Sequence, residues 1–221
     1  MSNYNLIRFF GIDYTMNWEL INFVDYAGTF AFAVSGIRLA SAKHFDAFGA
    51  YVVGFVTAIG GGTVRDLLLN ETPFWMQQPS YIIVTAVALV MVILMGDRMR
   101  RFNNAFFIFD AIGLGLFTIV GIEKSMEAGF PFWISIIMGM ITGSVGGIIR
   151  DILINELPLI FRKDIYALAC VFGGVVFYIC ILLKVNIGIS QILSASSVIL
   201  VRIVAVKYHW ALPTLKGSEE E

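Results

Sequence analysis

The chain has 221 residues, of which 58% are hydrophobic and only 14% are charged, and its formal net charge is −1. A mean hydropathy of +0.83 exceeds what a water-soluble domain of this length can bury, so the composition predicts a membrane protein. The balanced charge gives no indication of a nucleic-acid partner, which requires a basic surface.

Along the chain, the first 18 residues are polar and aromatic and lack the features of a cleaved signal peptide. Seven stretches with very few charges follow. Each has at least 17 residues, enough for a helix to cross a hydrocarbon layer of ~30 Å. Because these apolar runs are continuous rather than alternating, membrane-spanning strands are disfavoured. The sequence therefore predicts an all-α, polytopic membrane protein with seven transmembrane helices, at residues 19–37, 47–68, 80–96, 105–122, 132–154, 165–183 and 187–206.

A sequence repeat links the second and fifth of these helices. Residues 60–73 read GGGTVRDLLLNETP, and residues 145–158, which lie 85 positions later, read VGGIIRDILINELP. The same offset aligns aspartates, glycines and a tyrosine upstream and downstream of the two segments without a gap. A duplicated structural unit is the economical explanation.

The repeat length determines the predicted topology. Eighty-five residues contain three helices, and because three is odd, the second copy enters the membrane upside down. We therefore expect a single transmembrane domain over residues 1–221, with a first three-helix repeat at 20–104 and an inverted second repeat at 105–186. The seventh helix, at 187–208, has no counterpart.

The distribution of basic residues predicts the orientation of the chain. By the positive-inside rule, the side with more Lys and Arg faces the cytoplasm. We expect a multi-pass bacterial inner (plasma) membrane protein with its N-terminus outside and its C-terminus in the cytoplasm. One side of the membrane carries Arg38, Lys43, Arg98, Arg100, Arg101, Arg162, Lys163, Lys207 and Lys216, and the other carries Arg8, Lys124 and Lys184.

The repeated helices each carry a stripe of small and weakly polar residues that ends in an arginine. Glycines permit a helix to kink or unwind locally, so that backbone carbonyls can face a water-filled path and coordinate a cation. The alternative is that the glycines form small-xxx-small patterns that only bring helices close together. The candidate residues of an ion path are Thr57, Gly60, Gly61, Gly62 and Arg65 in the second helix and Thr142, Gly146, Gly147 and Arg150 in the fifth.

Acidic partners are expected for the two arginines, because an unpaired charge within the membrane costs about 2.5–3.5 kcal/mol even on lenient scales. Asp25 is expected at about the same depth in the membrane as Arg65, and Asp110 at about the same depth as Arg150. We therefore predict an Asp25–Arg65 pair and an Asp110–Arg150 pair. The alternative is that each arginine extends to the membrane surface. Two further aspartates that follow the arginines, Asp66 and Asp151, are predicted to cap the helix ends or tether the next loops.

Seven helices in two inverted repeats plus one, with Gly-Gly-x-x-Arg-Asp at residues 61–66 and 146–151, resemble the prokaryotic branch of the trimeric intracellular cation (TRIC) channel family. The resemblance implies a homotrimer in a lipid bilayer. It also implies a pore in each subunit, lined by the glycine-kinked second and fifth helices, that conducts monovalent cations such as K⁺ and Na⁺. No enzyme is expected, since the sequence lacks catalytic and metal-ligand spacings, and no cofactor or metal is predicted.

Two other functions remain open at this stage. Bacterial relatives of the family are also described as glycine transporters, and broken helices in inverted repeats suit a secondary carrier of a small solute equally well. A membrane scaffold or lipid-binding protein is the alternative from another class, in which the glycines serve packing and the loop arginines bind lipid headgroups.

Overall fold

A short β-hairpin and eight α-helices form the part of the chain that the computed structural model describes, which comprises residues 6–9, 12–15, 18–101, 105–162 and 165–211. The strands are β1 (Leu6–Phe9) and β2 (Ile12–Thr15). The helices are α1 (Trp18–Ala42), α2 (Ala47–Leu68), α3 (Phe74–Gln77), α4 (Ser80–Arg101), α5 (Ala105–Glu127), α6 (Phe132–Leu153), α7 (Ala167–Leu182) and α8 (Ile187–Lys207), and a 3₁₀ turn covers Leu159–Phe161.

The hairpin corrects the all-α prediction in one detail. Strands β1 and β2 pair antiparallel, with Leu6 opposite Thr15 and Phe9 opposite Ile12. Each strand has four residues, which is too short to give a clear alternating pattern in a sequence. All the other regular elements are helical, as predicted.

The seven predicted apolar stretches correspond to α1, α2, α4, α5, α6, α7 and α8. Five of them, α1, α2, α5, α6 and α8, contain segments of 21 to 24 residues that are long and apolar enough to cross a membrane. The other two have shorter apolar helical segments, Ser80–Gly96 in α4 and Ala167–Leu182 in α7. In α4 the apolar part ends at Gly96, where the backbone leaves helical geometry.

Helices α2 and α6 end in the same way, because the repeated Asn-Glu sequence stops both. Asn70 and Asn155 have φ angles of 60° and 56°, a left-handed conformation that asparagine tolerates better than most residues. The next amides, of Glu71 and Glu156, each donate over 2.8 Å to the carbonyl of the aspartate five residues earlier. This is the Schellman arrangement that satisfies the last carbonyls of a helix.

Four helices form the centre of the bundle. Helix α1 packs against α2 and α5, and α6 packs against the same two helices. Helix α4 covers α1 and α2 on one flank, while α7 and α8 cover α5 and α6 on the other. The repeated helices α2 and α6 therefore lie next to each other, and their glycines meet.

The contact between α2 and α6 is made by backbone on backbone. A Cβ atom on Gly61 would lie 2.0 Å from the carbonyl oxygen of Thr142, and one on Gly146 would lie 2.2 Å from that of Thr57. These two contacts are equivalent under the 85-residue offset. Both helices remain α-helical at every residue through their glycines, so the local unwinding that glycines permit does not occur in this conformation. In this conformation the glycines permit close approach.

Adding one methyl group at the crossing tests this contact. We expect Gly61→Ala to destabilise the protein by about 1–3 kcal/mol, because the new Cβ would meet a main-chain oxygen that cannot move without shifting α6. Gly60→Ala is the matched control: its Cβ would lie 3.0 Å from the flexible end of Ile149 and at an ordinary contact distance of 3.5 Å from Gly146 Cα. Thermal unfolding in detergent measures both, and equal melting temperatures for the two variants would contradict the backbone contact.

Candidate functional site

Two buried arginines, one near the end of each repeated helix, define the candidate site. Arg65 is 0% exposed and Arg150 is 1% exposed. Each bonds to the aspartate that follows it: the Nε atom of Arg65 donates to Asp66 Oδ1, and that of Arg150 donates to Asp151 Oδ1, both over 2.8 Å. Both guanidinium groups are thus neutralised within their own helix. We call the two halves of the site the Arg65 end and the Arg150 end.

The same aspartates also hold the loops that follow the helices. The second oxygen of Asp66 accepts the backbone N–H of Phe74 over 2.8 Å, and that of Asp151 accepts the backbone N–H of Leu159 over 3.1 Å. Phe74 begins α3, and Leu159 begins the 3₁₀ turn. The aspartates therefore connect a buried cation to the chain reversal, which is the loop-tethering geometry predicted for them.

At the Arg150 end, the arginine joins three helices. Its Nη1 atom forms a short ion pair with Asp110 of α5 and donates to the hydroxyl of Ser35 of α1 over 3.0 Å. Asp110 is 1% exposed. The structure therefore brings Arg150 and Asp110 together, and it adds Asp151 and Ser35 as partners on either side.

At the Arg65 end, the corresponding aspartate has a different partner. Asp25 accepts a hydrogen bond of 2.6 Å from the hydroxyl of Tyr81, which lies in the first turn of α4. Among the described residues, Arg65 forms an ion pair within 4 Å with Asp66 and not with Asp25. The predicted Asp25–Arg65 pair is thus not formed in this conformation. The hydroxyl of Tyr81 bonds one carboxylate oxygen of Asp25, and the other oxygen is buried without a hydrogen-bond partner among the described residues.

Two tyrosines are part of the site that sequence reasoning missed. Tyr166 is the equivalent of Tyr81 at the Arg150 end and is 1% exposed. Within the described part of the chain, its hydroxyl has no hydrogen-bond partner, whereas Asp110 pairs with Arg150. The 85-residue offset between the two tyrosines is the signal in the sequence that could have identified them.

The residues predicted to line an ion path are packed against other parts of the bundle. The hydroxyls of Thr57 and Thr142 each donate over 2.6 Å to a carbonyl of their own helix, four residues earlier. A Cβ on Gly62 would lie 2.4 Å from the ring of Phe74, and one on Gly147 would lie 2.5 Å from the hydroxyl of Tyr166. The predicted lining residues are therefore in contact with neighbouring atoms in this conformation.

One cavity opens at the Arg65 end and another at the Arg150 end. The one at the Arg65 end has a volume of about 440 Å³, and the one at the Arg150 end has a volume of about 240 Å³. Both contain acidic and basic side chains. The first is lined in part by Asp66, Glu71, Tyr81, Lys124 and Glu127, and the second in part by Asp110, Leu159, Arg162, Arg202 and His209.

A salt bridge crosses the surface at the Arg150 end. Lys43, which follows α1, donates over 2.5 Å to Glu156, which follows α6, and Arg162 contacts the same carboxylate at 3.2 Å. The hydrogen bond and charge of Lys43, with the nearby Arg162, lower the pKa of Glu156 below its ordinary value. This contact connects the two repeats outside the membrane-spanning segments.

The two ends predict different responses to the loss of the distant aspartate. We expect Asp110→Asn to destabilise the protein by about 1.5–3 kcal/mol, because it removes a charged acceptor from Arg150 while Asp151 still neutralises the guanidinium. The matched variant Asp25→Asn should cost about 1 kcal/mol at most, since an amide oxygen still accepts the bond from Tyr81. Chemical or thermal unfolding in detergent measures both. An equal loss in the two variants would contradict the asymmetric pairing.

The surface bridge predicts a pH dependence. The folded-state pKa of Glu156 is lowered, so its contribution to stability is present above the unfolded-state pKa and is lost as the pH falls through the folded-state pKa. Lys43→Met should raise the pKa of Glu156, as followed by NMR of labelled glutamate carboxyls. Lys184→Met, which removes an exposed lysine elsewhere, should leave it unchanged. A Glu156 titration that is the same in Lys43→Met and wild type would show that the bridge does not form.

Comparisons with known proteins identify the family. A family model described as "Glycine transporter" matches residues 22–97 and again residues 107–181. The inner membrane protein YadS of Escherichia coli (strain K12) is 38% identical over 206 residues, which cover 90% of this chain and 98% of YadS. A membrane protein of Vibrio cholerae is 38% identical over 203 residues, covering 90% of this chain and 84% of that protein.

Solved structures agree with this family. A TRIC trimeric intracellular cation channel orthologue from Rhodobacter sphaeroides superposes with a TM-score of 0.81 at 31% identity, covering 86% of this chain and 98% of the other. A prokaryotic TRIC channel crystallised in KCl gives a TM-score of 0.81 at 26% identity over 89% of this chain and 100% of the other. The chain therefore belongs to the prokaryotic TRIC family, whose members are also described as glycine transporters, as the repeated Gly-Gly-x-x-Arg-Asp motif predicted.

Proposed function

We propose that the protein is a cation channel with one permeation path in each subunit, between α2 and α6. The main support is the geometry of the site: two buried, neutralised arginines lie on either side of a glycine crossing, and each is paired with an aspartate that lines a cavity. The shared fold with structures described as TRIC cation channels supports the same function.

The topology is part of this proposal. The chain crosses a bacterial inner membrane seven times, its two three-helix repeats are inverted, and its N-terminus is outside. In this orientation the Arg65 end faces outward and the Arg150 end faces the cytoplasm. Two observations support the repeats: the same family model matches each half separately, and the arginine–aspartate contacts recur at an 85-residue offset. The description of YadS as an inner membrane protein supports the location in the inner membrane.

In the conducting state, cations pass between the two crossing helices. The path is lined by residues 60–62, 146 and 147 and by the two threonines, Thr57 and Thr142. Separating α2 from α6 by a few ångströms exposes carbonyl oxygens that now face the opposite glycine. Carbonyl oxygens can replace part of the hydration shell of a monovalent cation such as K⁺ or Na⁺. The close backbone contact is the closed state of this path.

The arginines act as the two gates. A guanidinium group at the mouth of the path obstructs a cation while its bonds to aspartates hold it there. At the Arg150 end, Asp110 is paired with the arginine and Tyr166 is unbonded. At the Arg65 end, Asp25 is bonded to Tyr81 instead. We infer that each aspartate exchanges between its arginine and its tyrosine, and that this exchange moves the arginine into and out of the path.

The outer cavity concentrates cations. Its lining includes the carboxylates of Asp66, Glu71 and Glu127, against the one ammonium group of Lys124 among the lining residues. A cleft with a surplus of negative charge raises the local concentration of cations and their rate of entry. The acidic lining therefore supports selectivity for cations over anions. The assembly is proposed to be a homotrimer in the lipid bilayer, as the names of the similar structures suggest.

The family description supports one other function, secondary transport of a small zwitterion such as glycine. A carrier exposes its site alternately to the two sides, and the two cavities with closed contacts between them also fit that scheme. The functions differ in kinetics: a carrier saturates and exchanges its substrate, whereas a channel gives discrete current steps.

Reconstitution into a planar bilayer with asymmetric KCl tests the channel. We expect discrete current steps. Their reversal potential should lie close to the equilibrium potential of K⁺ and far from that of Cl⁻. The double variant Arg150→Gln/Asp110→Asn removes both charges of the inner pair together and should increase open probability. The side-chain amide introduced by Arg150→Gln can still donate a hydrogen bond to Asp151. Lys184→Gln, which changes an exposed lysine outside the lining of both cavities, is the control.

Two outcomes would contradict the proposal. One is saturable glycine counterflow from proteoliposomes in which no current steps are found. The other is single-channel behaviour that is the same in the double variant, in Arg65→Gln and in the wild type, since at least one gate must respond if the arginines control the path.

A further inference from the structure

We propose that Glu123 and Gln191 form a buried proton-binding site that fastens α8 to α5. Glu123 is 2% exposed and Gln191 is 4% exposed. The Nε2 atom of Gln191 makes a short hydrogen bond to Oε1 of Glu123. The proposed ligand is a proton on the glutamate, which makes this carboxyl neutral at neutral pH.

The unbonded atoms of the pair point to the proton. Glu123 Oε2 and Gln191 Oε1 are both buried, and neither has a hydrogen-bond partner among the described residues. Both are acceptors when the carboxyl is ionised, so neither can satisfy the other. A proton on Oε2 turns it into a donor toward the amide oxygen of the side chain to which Glu123 is already bonded. A carboxylic acid and an amide can then form two hydrogen bonds, one in each direction.

The absence of a counter-charge supports the same state. In the described ranges, no lysine, arginine or histidine lies within 4 Å of Glu123. The adjacent Lys124 projects into the cavity at the Arg65 end and lies 5.7 Å from the centre of the Phe74 ring. Burying an ionised carboxylate without a positively charged partner costs several kcal/mol of free energy. Binding a proton removes the charge and has a lower free-energy cost.

Among the described residues of the surrounding helices, most other titratable groups are exposed or have partners of their own. Helix α5 packs against α1, α6, α7 and α8 and, over fewer residues, against α2, whose Arg65 and Asp66 pair with each other. The first four turns of α6 and of α8 contain no titratable residue. On α1, Glu19 is exposed and Asp25 is bonded to Tyr81. Within the described part of α1 and α7, the other titratable residues at this end are Tyr26, bonded to Gln78 and Ser80, Tyr178, stacked on Phe132, and the buried Cys180.

This site has a structural consequence that does not depend on conduction. Gln191 lies in the second turn of α8, the helix without a counterpart in the repeat, and Glu123 lies in the last turns of α5. Loss of the proton places an uncompensated charge between the two helices. The contact between α5 and α8 should therefore weaken as the pH rises above neutral.

Infrared difference spectra of the reconstituted protein test the protonation state directly. We expect the wild-type-minus-Glu123→Gln spectrum at neutral pH to contain the C=O band of a protonated carboxylic acid, in Na⁺, K⁺ or N-methylglucamine buffer alike. Glu127→Gln, one turn later and exposed, is the control and should remove only carboxylate bands. Carboxylate bands alone in the Glu123 spectrum would overturn the proposal. If carboxylate bands are found and shift between Na⁺ and N-methylglucamine buffer, the ligand of Glu123 is a metal cation and the proton proposal is overturned.

Thermal unfolding gives a second, independent readout. Glu123→Gln keeps the shape and the hydrogen-bonding capacity of the protonated acid, so it should fold and should melt near the wild type at neutral pH. The wild type should lose melting temperature from neutral to alkaline pH, and Glu123→Gln should lose less. A wild-type protein and a Glu123→Gln variant with identical pH profiles would contradict a proton that fastens α8.

Discussion

The rest of the site depends on the need to neutralise two guanidinium groups in an apolar bundle. Arg65 and Arg150 are almost completely buried, and a buried charge without a partner is one of the most unfavourable features that a protein can contain. Each arginine is bonded to the next residue in its own helix, so the pair is carried into the bundle together. The second oxygen of each aspartate then holds the loop that follows, which couples charge neutralisation to the reversal of the chain.

The glycines make this arrangement possible by bringing α2 and α6 into backbone contact. With larger residues at Gly61 or Gly146, the main-chain oxygens of Thr142 or Thr57 would be displaced. The close contact places the arginines of both repeats at opposite ends of one line, with a cavity beyond each. Small residues are a general means of packing helices in lipid. Here they also bring the backbones of α2 and α6 into direct contact, which leaves no space between the two helices at the glycines.

The sequence predicts the elements of this fold better than their contacts. Hydropathy is sufficient for the seven long helices, and the Asn-Glu pairs mark where α2 and α6 end. The bonds from each arginine to its neighbour were not foreseen, because residues i and i+1 of a helix do not usually face each other. Depth in the membrane places Asp110 beside Arg150, but it cannot show that Tyr81 binds Asp25, since the same tyrosine is present in both repeats. The hairpin is too short to give a pattern.

The difference between the two ends follows from positions at which the repeats diverge. Ser35, which accepts a bond from Arg150, is replaced at the equivalent position near Arg65 by Val120, which is buried and has no hydroxyl. Conversely, the ring of Phe74 lies 5.5 Å from the guanidinium of Arg65, whereas its equivalent, Leu159, has no aromatic face. Arg65 is thus held by an aromatic ring and one aspartate, and Arg150 by a hydroxyl and two aspartates. If the arginines gate the path as proposed, the weaker set of polar partners predicts that the Arg65 end opens more easily, because fewer bonds must break there.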